Sequence, residues 1–187
     1  MIVISIDQST KKQGVTIWSS TDMKEFTPEY TIQIDLTGGR ELPLGDRMQK
    51  FAEFYSELFT LWKPDHIVTE NPSTLLRIAP GETGRQLCET FGLLRYLSIQ
   101  GGRELHQISP MQAKIALTGS GRAKKPDMIK GAQNFFPCLN ITTKEEDKAD
   151  SLGIGMFYIA DKILKIDTKK IFESLQTSKN SLKFNSI

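Results

Sequence analysis

Four carboxylates stand where carboxylates are costly. Asp7 closes an apolar run at the N-terminus, Ile-Val-Ile-Ser-Ile-Asp, and Glu70 closes a second, His-Ile-Val-Thr-Glu. Asp147 and Asp150 lie three residues apart at the head of a late helical stretch, so a helix puts both on one face. A carboxylate ending a buried apolar strand is unfavourable unless something positive pairs with it. No Lys or Arg directly flanks Asp7 or Glu70. A hard divalent cation, which takes oxygen ligands, is the simplest common partner. Four carboxylates suffice for two Mg²⁺ ions about 4 Å apart, an arrangement suited to in-line displacement at phosphorus. The bland alternative for Asp147 is a helix-start charge favoured by the macrodipole.

The chain's charge is uneven rather than large. The formal net charge is only +2, yet between Arg103 and Lys130 six basic residues face two acids. Within that stretch the loop Thr118–Lys125 carries Gly119, Ser120 and Gly121, whose backbone N–H groups can approach a phosphate. Lys114, Ser120, Arg122, Lys124, Lys125 and Lys130 are the candidate nucleic-acid contacts. The competing reading is a solvated basic face. His66 and His106, at strand edges, read as structural.

The elements that must position these groups follow from hydrophobic period. Ile2–Asp7 is nearly continuous and apolar, as in a strand buried on both faces. Gly14–Trp18 and Tyr30–Leu36 alternate as strands. Helical spacing runs from about Leu44 to Trp62, where Lys63-Pro64 stops it. The strand His66–Glu70 follows, then a loop to Gly84, a helix over Arg85–Ile99 and a short strand at Glu104–Ile108. Helix patterns at Met111–Leu117 and Pro126–Phe136 precede a last core helix from near Lys144 to about Leu164. The order predicts an α/β fold, a mixed β-sheet flanked by helices on both faces. Residues 1–164 form one domain and 165–187 a polar C-terminal tail, a loosely docked helix or disordered.

Cys88 and Cys138 lack metal-ligand spacing and read as reduced core residues. Met1 leads straight into a strand, and no apolar run approaches the roughly 20 residues that span a bilayer. The expectation is a soluble, cytoplasmic protein, in a bacterial cell or a phage-infected host, with no membrane partner.

Taken together, these residues resemble the RuvC family of Holliday-junction resolvases, within the RNase H-like nuclease superfamily. Ile4-Ser5-Ile6-Asp7-Gln8-Ser9-Thr10 followed by Gly14 is similar to the family's opening G-I-D-P-G block. Ile67–Glu70 resembles the strand bearing its second acid, and Asp147-Lys148-Ala149-Asp150-Ser151-Leu152 its closing D-A-A-D-A-L helix. Ser109-Pro110, Lys114, Gly119–Gly121 and Ala123–Lys125 are similar to its basic stretch. The resemblance implies an RNase H-like fold over about residues 1–160. It makes Asp7, Glu70, Asp147 and Asp150 metal ligands, for Mg²⁺ with Mn²⁺ as a substitute, and places Lys114 and Lys125 near the scissile phosphate. It also implies a homodimer, joined through the helix around Arg85–Tyr96, that nicks opposing strands of a four-way junction and acts on branched DNA. Gln8-Ser9 departs from the family's Pro-Gly. Asn71-Pro72-Ser73 lacks the aromatic wedge of the bacterial enzymes, and Thr74–Gly84 is idiosyncratic. These departures bear on junction opening and cut-site preference more than on chemistry. A divergent, phage-encoded member fits. The alternatives are a non-catalytic RNase H-like nucleic-acid-binding protein and an actin- or sugar-kinase-type ATPase. The latter also opens on an Ile-Asp-x-Ser-Thr-like turn, but needs a second domain and a second phosphate loop that this chain lacks.

Overall fold

The structure, a computed structural model, describes residues 1–37, 42–72, 81–167, 170–175 and 182–183. Strands β1 (Ile2–Asp7), β2 (Lys12–Ser19) and β3 (Glu25–Asp35) form an antiparallel meander. Helix α1 (Leu44–Trp62) returns the chain so that β4 (His66–Glu70) lies parallel to β1. Helix α2 (Glu82–Gln100) does the same for β5 (Leu105–Ile108), parallel to β4. A two-residue strand, β6 (Leu182–Lys183), pairs with β3 and gives the order β5-β4-β1-β2-β3-β6. The expected mixed sheet is present.

The strand alternation of β1 and β2 divides the core. Ile4, Ile6, Val15 and Ile17 face α1 and α2, against Phe51, Tyr55 and Leu94. Val3 and Trp18 face the other side, covered by α5 (Glu146–Tyr158) with α3 (Pro110–Thr118) and α4 (Lys125–Phe135) around it. Helix α5 lies against β1, β2 and β4, and a π-helical turn, Ile159–Ile163, extends it. Its N-terminal turn starts at Glu146, two residues later than expected, because Glu145 is spent on the preceding turn. Its Oε2 accepts the Thr142 N–H at 3.0 Å, and Lys148 holds it at 2.6 Å.

Local signals explain the boundaries. Lys63 adopts φ 45° and its N–H bonds Phe59 O, ending α1. Ser109 and Gln112 form a capping box at the start of α3, and Gly119 at φ 76° ends it. Two expectations need correction. Cys138 is exposed, because Phe136 breaks α4 and the following Pro137–Leu139 turn carries the cysteine outward. Part of the polar tail docks closely: in α6 (Ile171–Leu175) Ile171 is completely buried, and the Phe172 ring meets Phe135 edge-on. Ser73 and most of the Thr74–Gly84 loop lie outside the described residues.

Candidate active site

The register of β1 and β4 brings the first two acids together. Ile6 pairs with Thr69, so Asp7 and Glu70 follow one residue later at the same ends of neighbouring parallel strands. Alternation gives both the face covered by α5, since Asp7 follows Val3 and Ser5, and Glu70 follows Val68.

Helix α5 delivers the other two. Its descent onto the sheet depends on small and polar side chains that hydrogen-bond across the layer. Ser5 Oγ donates to Ser151 O at 2.7 Å, Thr16 Oγ1 and Ser151 Oγ stand 2.8 Å apart, and Trp18 Nε1 donates to Ser5 Oγ at 2.9 Å. Gly155 lies over Trp18, where a Cβ would come within 2.1 Å of Nε1. Gly14, opposite Asp7 in the β1–β2 pair, is tighter still. A Cβ there would stand 1.7 Å from the Asp147 carbonyl oxygen. This contact seats the first turn of α5, with Asp147, beside the end of β1.

The four carboxylates therefore share one electrostatic neighbourhood. Burial pushes the Asp7 carboxyl well above the usual range, with further upward pressure from Asp150, Glu70 and Asp147. Burial and the Asp150 charge push Glu70 up to about 7. Burial, Asp147 and Glu146 push Asp150 up to about 6. Asp147 is raised by burial and by Glu146. All four keep partial solvent access. The positive charges opposing these shifts are Lys114, against Glu70 and Asp150, and Lys125, against Asp7, Asp147 and Asp150. Lys125 is exposed and ion-paired with Glu146.

A third lysine was not foreseen. Lys12 shares its strand face with Gly14 and Thr16 and acts on Asp147 from β2. Alternation from Gly14 was the signal that could have found it. The remaining basic residues stand apart from the acids. Arg122 and Lys130 line a separate cavity with Ser120, and none of these is among the charges acting on the acids. Lys124 serves α4 through its backbone N–H, which donates to Asp127 Oδ2 at 2.9 Å. The two histidines pack as expected. His66 and His106 stand side by side on β4 and β5, with Tyr158 OH 3.1 Å from His66 Nδ1.

Oxygen donors alone, partly buried and mutually repelling, fit a hard divalent cation. Among the described residues, no three His, Cys, Asp or Glu side chains are drawn together into a closed ligand set. The acids converge on one rim without meeting.

Solved structures with this arrangement of chain include Holliday-junction resolvases. RuvC of T. thermophilus in complex with a Holliday junction substrate aligns with a TM-score of 0.65 at 20% identity, over 84% of this chain and 92% of that one. The yeast mitochondrial Holliday junction resolvase aligns with a TM-score of 0.60 at 15% identity, over 94% and 83%. The fold is thus the RNase H-like α/β fold found in such resolvases. No family model matches the chain. Curated relatives are nonetheless consistent along its length. The crossover junction endodeoxyribonuclease RuvC of Dictyoglomus thermophilum is 28% identical over 159 residues, 85% of this chain and 96% of the relative. That of Caldicellulosiruptor saccharolyticus is 25% identical over 162 residues, 85% and 92%. Along most of its length the chain is thus similar to RuvC endodeoxyribonucleases, at a low level of identity.

Proposed function

We propose that this chain is a metal-dependent, structure-selective endodeoxyribonuclease that cuts Holliday junctions by hydrolysing phosphodiester bonds. The observation that carries the reading is the convergence of Asp7, Glu70, Asp147 and Asp150 from two strands and one helix, with Lys114 and Lys125 facing them. Its named relatives are crossover junction endodeoxyribonucleases, and one was solved with a junction substrate.

In this reading the four carboxylates hold the cation, Mg²⁺ or in its place Mn²⁺, with two ions per site. Bound there, the metal supplies an activated water and charge stabilisation for the leaving 3′ oxygen. The strand ends fix Asp7 and Glu70 rigidly, while α5 brings Asp147 and Asp150 across the layer. Lys114 and Lys125 place positive charge where the scissile phosphate arrives and steady the charge that builds on it. Lys12 extends that positive rim along β2.

The cut is paired, which requires two sites. A homodimer fits the two-fold character of a four-way junction. Leu61 on α1 and Tyr96 and Ile99 on α2, 76%, 57% and 61% exposed, are apolar side chains that such a contact would cover. The test is a panel of labelled four-way junction, Y-fork and linear duplex, with Mg²⁺ and with EDTA. Symmetric, metal-dependent nicks in the junction alone support the reading. Equal cutting of forks would make the protein a general branch nuclease. Inertness in Mg²⁺ and Mn²⁺ would leave the non-catalytic binding protein.

A further inference from the structure

The basic stretch serves two places. Lys114 and Lys125 face the acids, but Arg122 and Lys130 do not. They line a cavity of about 460 Å³ between α3, α4 and α6. That volume is within the range of roughly 300–1,000 Å³ typical of small-molecule sites. Its apolar wall holds Phe135 and Phe172, whose rings meet edge-on with centroids 6.1 Å apart. Asn134 adds an amide, with donors and an acceptor, at the edge. Asp127 also lines the cavity, but its carboxylate is engaged by the Lys124 N–H at the start of α4.

Aromatic rings beside two cations and an amide match the parts of a nucleotide: a base with a π-face, a polar edge and a phosphate. Lys130 lies five residues along α4 from Lys125, about 8 Å down the helix axis. We propose that this cavity takes one unpaired nucleotide of the branched substrate, its base against Phe135 and Phe172 and its phosphate on Arg122 and Lys130. The proposal rests on the nuclease reading for the source of that nucleotide, not for the site itself. It gives the docked tail helix a part in recognition, since Phe172 forms one wall.

The test is ligand-observed NMR with thymidine 5′-monophosphate, against thymidine and inorganic phosphate as controls. The full chain is kept in EDTA so that no metal at the acids captures the phosphate. Saturation transfer to the base protons is expected in the wild-type protein. Arg122→Ala with Lys130→Ala should weaken binding about tenfold or more, and Phe172→Ala by a similar factor, while Phe172→Tyr keeps it. Equal binding by wild type and the Arg122→Ala, Lys130→Ala pair, or none by wild type, would overturn the proposal. If Phe172→Ala unfolds by circular dichroism, that charged-residue pair decides alone. Nucleotide binding without junction cleavage would retain the cavity and defeat the nuclease reading.

Discussion

The raised carboxyl groups make a pH signature that belongs to the acids themselves. Glu70 titrates at about 7 and Asp150 at about 6 in the folded protein, above their unfolded values. Between about pH 4.5 and 7 the folded state holds protons that the unfolded chain has released. Stability of the metal-free protein is therefore fullest at the acid end of this window and falls as pH rises. Glu70→Gln, stripped of metal, should melt higher than wild type at pH 8 and no higher at pH 5. Thermal melts in EDTA check this, and an unchanged difference across pH would remove Glu70 from the cluster. Adding Mg²⁺ to wild type should raise the melting temperature more at pH 8 than at pH 5, because only the ionised acids hold it. Asp7 and Glu70 were legible in the sequence because each closes an apolar strand, and Asp147 and Asp150 because their i,i+3 spacing opens a helix. Lys12 was not, since the alternation that puts it on the face of Gly14 helps only once the strand is extended back to Lys12. Cys138 misled because its neighbours Pro137 and Leu139 are apolar, whereas the turn after the break at Phe136 carries it outward.

The contact between β2 and α5 is the mechanical centre of the site. Gly14 carries no side chain because the Asp147 carbonyl occupies that space. Gly14→Ala should cost at least about 2 kcal/mol, by overpacking a seam that has no slack. It should also reduce cleavage well beyond what lost folding explains, because the displaced turn carries Asp147 and leads to Asp150. Denaturant unfolding alongside single-turnover cleavage tests both. A stable Gly14→Ala protein that cuts normally would mean that α5 is not held where the structure puts it. Most of the strands and helices could be read from period and stop signals. The way α5 seats on the sheet could not, because its bonds join residues far apart in sequence: Ser5, Thr16 and Ser151 look like ordinary polar residues until the layer brings them together. Docking of α6 was hidden for the same reason, as Ile171 and Phe172 anchor a short helix within a tail rich in polar residues.

At the scale of the whole molecule, the proposed function turns on charge and on the pairing of two copies. In the proposed function, near-neutral overall charge leaves binding to local basic groups, the rim of Lys12, Lys114 and Lys125 among them, rather than to a general field. Lys125→Ala should weaken junction binding and lower the slope of log affinity against log salt by about 1, as one phosphate contact is lost. An unchanged slope would place Lys125 off the DNA. Charge introduced on the apolar face, as Tyr96→Glu with Ile99→Glu, should shift the protein to monomer in sedimentation and uncouple the two nicks. A persistent dimer would direct attention to another surface. The mixed sheet was legible as a whole from the order of its elements. The split of the basic stretch between the acids and the α3–α4–α6 cavity was not, because it depends on the turn made at Gly119 and Gly121.

The central claim is that Asp7, with its three partners, forms one metal-dependent cutting site. Single-turnover cleavage of an end-labelled four-way junction, by wild type and Asp7→Asn with Mg²⁺ and with EDTA, tests it most directly. Symmetric nicks by wild type in Mg²⁺ alone, with Asp7→Asn binding the junction but leaving it intact, are expected. Cleavage by Asp7→Asn at a rate near that of wild type, or cleavage in EDTA, would contradict it.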